Sequence, residues 1–326
     1  MSPPPLPAPA ARPILGIACV VGAALAFSFN DLAMKWLSGD YPLHQITLLR
    51  GLVATLVTLA LFVPLEGGYG ILRTRHLRFH LARGLMVVLA NMLLYASVAA
   101  LPLGEAVAIF YVAPLFITAF SVVFLGEKVG WMRWAAVVVG FAGVLVMMKP
   151  GTESFRFAAL LPVGSAACYA ALQIMTRKLG VAEKAATMAF YIQFMFVLFS
   201  AVVGLVMGNG RFSGGGDPSL EFLTRPWAWP TPTHLAIILG VGVAISIAGY
   251  LVSQGYRMTE AAILAPFEYV ALPVAIFWSI VIWNDWPDAW SWLGIALIAG
   301  AGLFVFAREA LLGKRVRWKK PLPESK

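Results

Sequence analysis

Ten apolar runs, each about as long as a bilayer's hydrocarbon core is thick, constrain this chain more than any other feature. They fall at about 14–37, 43–65, 80–100, 103–125, 131–149, 155–178, 185–207, 234–256, 261–283 and 290–309. Roughly twenty helical residues rising 1.5 Å each cross about 30 Å of hydrocarbon, and each run meets that length. The runs are continuously apolar and do not alternate as barrel strands would, so the expected fold class is an all-α polytopic membrane protein with ten transmembrane helices. Composition agrees. Of 326 residues, 60% are hydrophobic and 12% charged, and the mean hydropathy is +0.83. A soluble domain carries about twice that share of charge.

The formal charge of +9 does not imply a nucleic-acid partner. Such binding needs Lys and Arg on a continuous exposed face, whereas here they occupy short loops and a tail. With a cytoplasmic N-terminus, eighteen of the 24 basic residues face inward. These include Arg73, Arg75, Arg78 and Arg83, Arg177 with Lys178, and seven from Arg308 to Lys326. Only Lys149, Arg156, Arg211 and Arg225 lie in outer loops, while Lys35 and Arg50 lie within spans. This bias predicts an inner-membrane protein with both termini cytoplasmic. Trp283, Trp286, Trp290 and Trp292 cluster near an outer connection, where indoles favour the interface.

Several other classes of site are not expected. Cys19 and Cys168 each lie inside an apolar run and read as packing residues, not as metal ligands or a disulfide. No cofactor or metal is expected. Gly208-Asn209-Gly210 is not a phosphate loop, because no strand precedes it and no Gly-Lys-Ser/Thr follows; the loop at about 208–233 reads as a flexible linker. No secretory signal is expected, and Met1–Pro13 reads as a flexible tail.

The two halves resemble each other. At a spacing of 142, Gly22 answers Gly164, Phe27 answers Tyr169 and Lys35 answers Arg177. Further on, His80-Leu81-Ala82 answers His234-Leu235-Ala236, and Tyr111-Val112-Ala113-Pro114 answers Tyr269-Val270-Ala271-Leu272-Pro273. Trp134 answers Trp292, and both halves end in a helix of small residues, with Gly140 and Gly143 in one and Gly300 and Gly302 in the other. The expected units are a tail at 1–13, a five-helix repeat at 14–150, a second at 151–310 and a basic tail at 311–326. Five is odd, so the second unit enters the membrane from the opposite face, and inverted repeats of this kind build alternating-access transporters.

The stretch from Leu103 to Gly151 carries Tyr111-Val112-Ala113-Pro114, Leu125-Gly126-Glu127-Lys128 and Gly140-Phe141-Ala142-Gly143. In this it resembles the drug/metabolite transporter superfamily, in its ten-helix EamA-type branch. The partner segment is Leu264-Ala265-Pro266-Phe267-Glu268-Tyr269, followed by Asn284-Asp285 where that family has Gly-Glu. The resemblance implies a basket of ten helices around a central cavity that carries small metabolites. Phe27-Ser28-Phe29-Asn30-Asp31, with Lys35 one turn on, looks similar to members that carry riboflavin or S-adenosylmethionine.

Charge at membrane depth costs at least about 2.5–3.5 kcal/mol per group, so it calls for a reason. Asp31, Arg50 and Glu268 qualify, as does the amide Gln173 at the repeat position of Asp31. Asp31 is spaced to pair with Lys35 one turn away, or serves substrate or protons. Arg50 is expected to pair with Asp31 or to cap carbonyls. Glu268 is the leading candidate for coupling or cation binding. With Asn30, Tyr111 and Tyr269 these form the candidate binding or coupling set, and Phe110, Tyr95, Tyr169 and Phe267 are further aromatics able to stack on a planar substrate. Pro114, Pro266 and Pro273 are candidate helix breaks, since proline frees a carbonyl. Glu105 and Glu260 lie near helix starts and read as complements to the helix dipole.

The reading that follows is a secondary carrier of a small organic metabolite, with a bilayer and a small-molecule substrate as partners; a homodimer is a further option. An intramembrane enzyme would need clustered nucleophiles or ligands, and His44, His76, His80 and His234 all lie at span ends or in loops. A receptor or scaffold is the remaining alternative.

Overall fold

The computed structural model describes residues 13–127, 129–150, 156–179, 184–258, 264 and 267–311, and the described residues contain helices and no strands. In chain order the helices are α1 (Pro13–Leu37), α2 (Leu43–Leu65), α3 (Leu77–Ala100), α4 (Leu103–Leu125) and α5 (Trp131–Met148). The second half holds α6 (Leu160–Leu179), α7 (Ala185–Met207), the short α8 (Pro218–Thr224), α9 (Pro232–Met258), α10 (Ala271–Trp283) and α11 (Ala289–Leu311). Nine of the described helices are long and apolar enough to cross a membrane, and Ala271–Trp283 is a shorter apolar one. It forms the second part of the ninth expected span. Much of that span's first part, including Pro266, lies outside the described residues, as does Glu260.

The packing is symmetric under exchange of the two halves. Exchange pairs α1 with α6, α2 with α7, α3 with α9, α4 with the ninth span and α5 with α11. Under it, the α1–α9 contact becomes the α6–α3 contact, and both are among the most extensive in the molecule. Likewise α3–α7 becomes α9–α2, and α4–α6 becomes α10–α1. The α2–α7 and α5–α11 contacts map onto themselves and so lie on the symmetry axis. Two inverted five-helix repeats account for this arrangement.

The corner after α4 recurs after α10 despite the change of sequence. Gly126 closes α4 in the left-handed region (φ 66°), and Asn284 closes α10 the same way (φ 55°). Glu127 N–H donates to the Ser121 carbonyl at 3.2 Å, and Asp285 N–H to the Ser279 carbonyl at 3.1 Å. Asparagine is one of the few residues with a side chain that visits this region readily, so Asn-Asp preserves a turn that Gly-Glu makes elsewhere.

The spans are held together at both ends. Let the near face be the one where α1 begins and the far face the one where it ends. At the near face, Glu66 after α2 accepts from the Ala186 N–H at the start of α7 (3.0 Å), and Arg83 donates to the Thr176 hydroxyl (2.9 Å). At the far face, the loop expected to be a flexible linker is pinned. It contains α8, capped by Asp217 on the Leu220 N–H (3.0 Å), and its Phe222 is fully buried. Gln45 exchanges two hydrogen bonds with the Ala228 backbone, and Arg225 donates to the Ser38 carbonyl at 2.9 Å. The Trp227 indole sits where Cβ atoms on Gly204 and Gly208 would be. The Gly-rich loop composition hid these anchors, which are single side chains. In the α10–α11 connection, Lys149 and the Ser291 N–H both bond Asp288 and hold its carboxyl down at about 2.

Candidate functional site

The ninth span and α4 are broken at equivalent points. α4 stops at Phe110, turns through Tyr111 and Val112, and restarts at Ala113. The ninth span turns through Tyr269 and Val270 and restarts at Ala271. Both breaks carry the same tightened bond, Val112 N–H to the Ile109 carbonyl (3.1 Å) and Val270 N–H to the Phe267 carbonyl (3.2 Å). The turns lie at Tyr-Val, just ahead of the prolines. Pro114 and Pro273 sit in the first turn of each resumed helix, where a missing N–H costs nothing within the helix.

The two breaks meet. The Tyr111 hydroxyl donates to the Glu268 carbonyl at 2.8 Å, and the Tyr111 and Tyr269 rings lie 4.8 Å apart. Phe110 packs edge-on against Tyr169 at 5.5 Å, and Gln173 donates to the Tyr169 hydroxyl at 2.8 Å. Asp31, Glu268, Tyr169 and Tyr269 all interact electrostatically with Tyr111. Six of the seven residues singled out from the sequence thus converge around the crossing directly or through one neighbour, and Arg50 joins through Asn30. Tyr111, Gln173 and Glu268 are half-buried, and Tyr269 is buried.

Beside the crossing lies a buried polar network. Arg50 is 4% exposed and Asn30 2%, so neither relies on bulk water. The Arg50 guanidinium donates to the Asn30 amide oxygen, and the Asn30 amide nitrogen donates to Asp31 (3.1 Å) and to the Tyr95 hydroxyl. The Tyr95 hydroxyl donates in turn to Asp31 (3.0 Å). The guanidinium lies between the Tyr95 and Phe196 rings, at 5.4 and 5.3 Å. Charge, hydrogen bonds and two aromatic faces together offset the cost of burying this cation.

The expected Asp31–Lys35 pair does not form. Lys35 turns away from Asp31 to donate to the Leu101 (2.6 Å) and Val98 (3.2 Å) carbonyls at the C-terminal end of α3, under the Trp283 ring. A cation there complements the helix dipole and satisfies end carbonyls, and this outweighs one i,i+4 pair. Glu105, in the first turn of α4 as expected, also accepts from the Ser291 hydroxyl at 2.7 Å. Phe196, the second ring on Arg50, was invisible to sequence reasoning, since nothing local links residues 146 apart.

The arrangement gathers carboxylates, two amides, a buried guanidinium and tilted or edge-on aromatic rings where the broken spans cross. Residues 14–149 match the EamA-like transporter family. The chain is 30% identical over 300 residues to a riboflavin transporter of Rhizobium johnstonii, covering 91% of this chain and 93% of that one. It is 26% identical over 303 residues to an S-adenosylmethionine uptake transporter of Rickettsia bellii, covering 93% and 97%. A crystal structure at 19% identity shares the fold, with a TM-score of 0.61 over 93% of this chain and 98% of the other. The chain belongs to the EamA-like transporter family of the drug/metabolite transporter superfamily, and it is a multi-pass membrane transporter of small metabolites.

Proposed function

We propose that this protein is a secondary transporter that moves riboflavin or a flat solute of similar chemistry by alternating access through a central cavity. The observation that carries the reading is the crossing of the two broken spans, where the Tyr111 and Tyr269 rings lie 4.8 Å apart beside the Asn30–Asp31–Arg50–Tyr95 network. Aromatic rings stack on an isoalloxazine plane, and amides and hydroxyls match its carbonyl and ring-nitrogen edge. Riboflavin is the first candidate because the 30% identical relative is named for it. Asp31 and Glu268 are the candidate proton-coupling groups, since a carboxylate at membrane depth changes its charge at the lowest cost by taking a proton. The basic residues of the sequence support an inner-membrane location with cytoplasmic termini, and the repeats divide at about residues 150 and 151.

The purified protein's melting temperature, measured against a panel of flavins, S-adenosylmethionine, amino acids and purines, identifies the class. Riboflavin at a hundred times its dissociation constant is expected to stabilise the fold by about 2.7 kcal/mol. Stabilisation by S-adenosylmethionine alone would replace riboflavin as substrate; no stabilisation by any of them would remove the small-solute site.

A further inference from the structure

Resting on the alternating-access reading, we infer that Tyr111 and Tyr269 exchange one hydrogen bond between the two transport states, each hydroxyl holding the opposite break in one state only. The same offset relates Tyr111 to Tyr269 and Phe110 to Glu268 (269 less 111 equals 268 less 110). If the repeats were in identical conformations, each tyrosine would bond the carbonyl just before the other's break. They do not. The Tyr111 hydroxyl donates to the Glu268 carbonyl at 2.8 Å, while the buried Tyr269 hydroxyl has no hydrogen-bond partner among the described residues. Instead it lies against Gly302 of α11, where any Cβ would collide with it.

A buried hydroxyl without a partner costs free energy, so its retention needs a reason. The acceptor it lacks here is already prepared. Pro114 has no N–H, so the Phe110 carbonyl loses the donor that an unbroken helix would direct at it. That carbonyl is the repeat equivalent of the Glu268 carbonyl that Tyr111 holds. In an inverted-repeat transporter access alternates as one repeat rocks or gates against the other, and the pseudo-symmetry makes the second state the one in which the two halves have traded their conformations. The trade releases Tyr111 from Glu268 and brings the Tyr269 hydroxyl to the Phe110 carbonyl. One bond is thus made in each state, and the unsatisfied hydroxyl changes sides. The state described here is the one in which Tyr111 is bonded.

The two tyrosines should therefore respond to removal of the hydroxyl with opposite sign. Tyr111→Phe removes the bond of the present state. Tyr269→Phe relieves an unsatisfied group in the present state and removes the bond of the other. Spin labels at Gly39 and Trp286, both exposed, report the contact between the far ends of α1 and α10. With Cys19 and Cys168 replaced by serine, electron-electron distance measurements in lipid nanodiscs give the ratio of the two populations. A net hydrogen bond corresponds to about a five-fold change in that ratio. Each variant is expected to shift it at least about five-fold, Tyr111→Phe away from the described state and Tyr269→Phe toward it. If the parent shows two riboflavin-sensitive distances but both variants shift the ratio the same way, or neither does, the exchange is overturned and alternating access stands. If the parent shows one distance that neither riboflavin nor either variant changes, alternating access and the exchange fail together.

Discussion

Arg50→Met is expected to lower the unfolding free energy by about 3–5 kcal/mol, the cost of removing one partner from a buried charged network. The substitution keeps the length and apolar stem but leaves the Asn30 amide oxygen without its donor, next to the Asp31 carboxylate. It also takes the cation from between the Tyr95 and Phe196 rings. Arg50→Lys should recover only part of the loss, because a point ammonium cannot stack flat between two rings. Thermal unfolding in one detergent, followed by tryptophan fluorescence, measures the difference. The double variant with Asn30→Ala should lose less than the sum of the two single losses, since the pair share one interaction. A melting temperature within a degree of the parent's for Arg50→Met would show that the network contributes little to the fold.

Gly143→Leu and Gly294→Leu are each expected to separate α5 from α11 and to prevent recovery of a monodisperse protein. These helices cross on the symmetry axis, and the two glycines face each other there. A Cβ on Gly143 would lie 3.0 Å from the Gly294 carbonyl and 2.8 Å from the Leu297 Cβ. A Cβ on Gly294 would lie 2.7 Å from the Gly143 carbonyl and would meet Met147. Backbone cannot move aside as a side chain can, so the cost lies at or above the top of the about 1–3 kcal/mol range for overpacking. Small residues at such crossings let helices associate in lipid, where no hydrophobic drive exists between them. Gly300→Ala is the control, because nothing lies within 4 Å of a Cβ there. Size-exclusion profiles of the three variants give the comparison. A monodisperse peak at parental yield from Gly143→Leu would mean that the crossing is looser than described.

The spans were legible because lipid demands a continuous apolar run of fixed length. Two runs, 43–65 and 103–125, coincide with the helices Leu43–Leu65 and Leu103–Leu125 residue for residue. The repeat was legible because its corners reuse the same residue types. Its geometry proved closer than its letters, as the shared left-handed cap at Gly126 and Asn284 shows. The helix breaks were legible in kind, from the prolines, but displaced in position to Tyr-Val. The polar network was legible only in part. Asp31 and Arg50 announced themselves as charges at depth, yet Tyr95, which bridges Asn30 and Asp31, lies 65 residues from the first of that pair and 64 from the second. Local spacing suggested Lys35 for Asp31, whereas the end of α3, brought alongside by tertiary packing, takes Lys35. The docked α8 was hidden because seven residues in a Gly-rich loop fall far below any span-length signal, although Asp217-Pro218 is a sound helix start.

Counterflow of labelled riboflavin into proteoliposomes tests directly whether the protein carries riboflavin across a bilayer. Vesicles loaded with unlabelled riboflavin should accumulate the label transiently and saturably above protein-free vesicles. An imposed pH gradient should then drive net accumulation that Glu268→Gln or Asp31→Asn abolishes. Monodisperse parent protein that exchanges neither riboflavin nor S-adenosylmethionine above protein-free vesicles would contradict the proposed function.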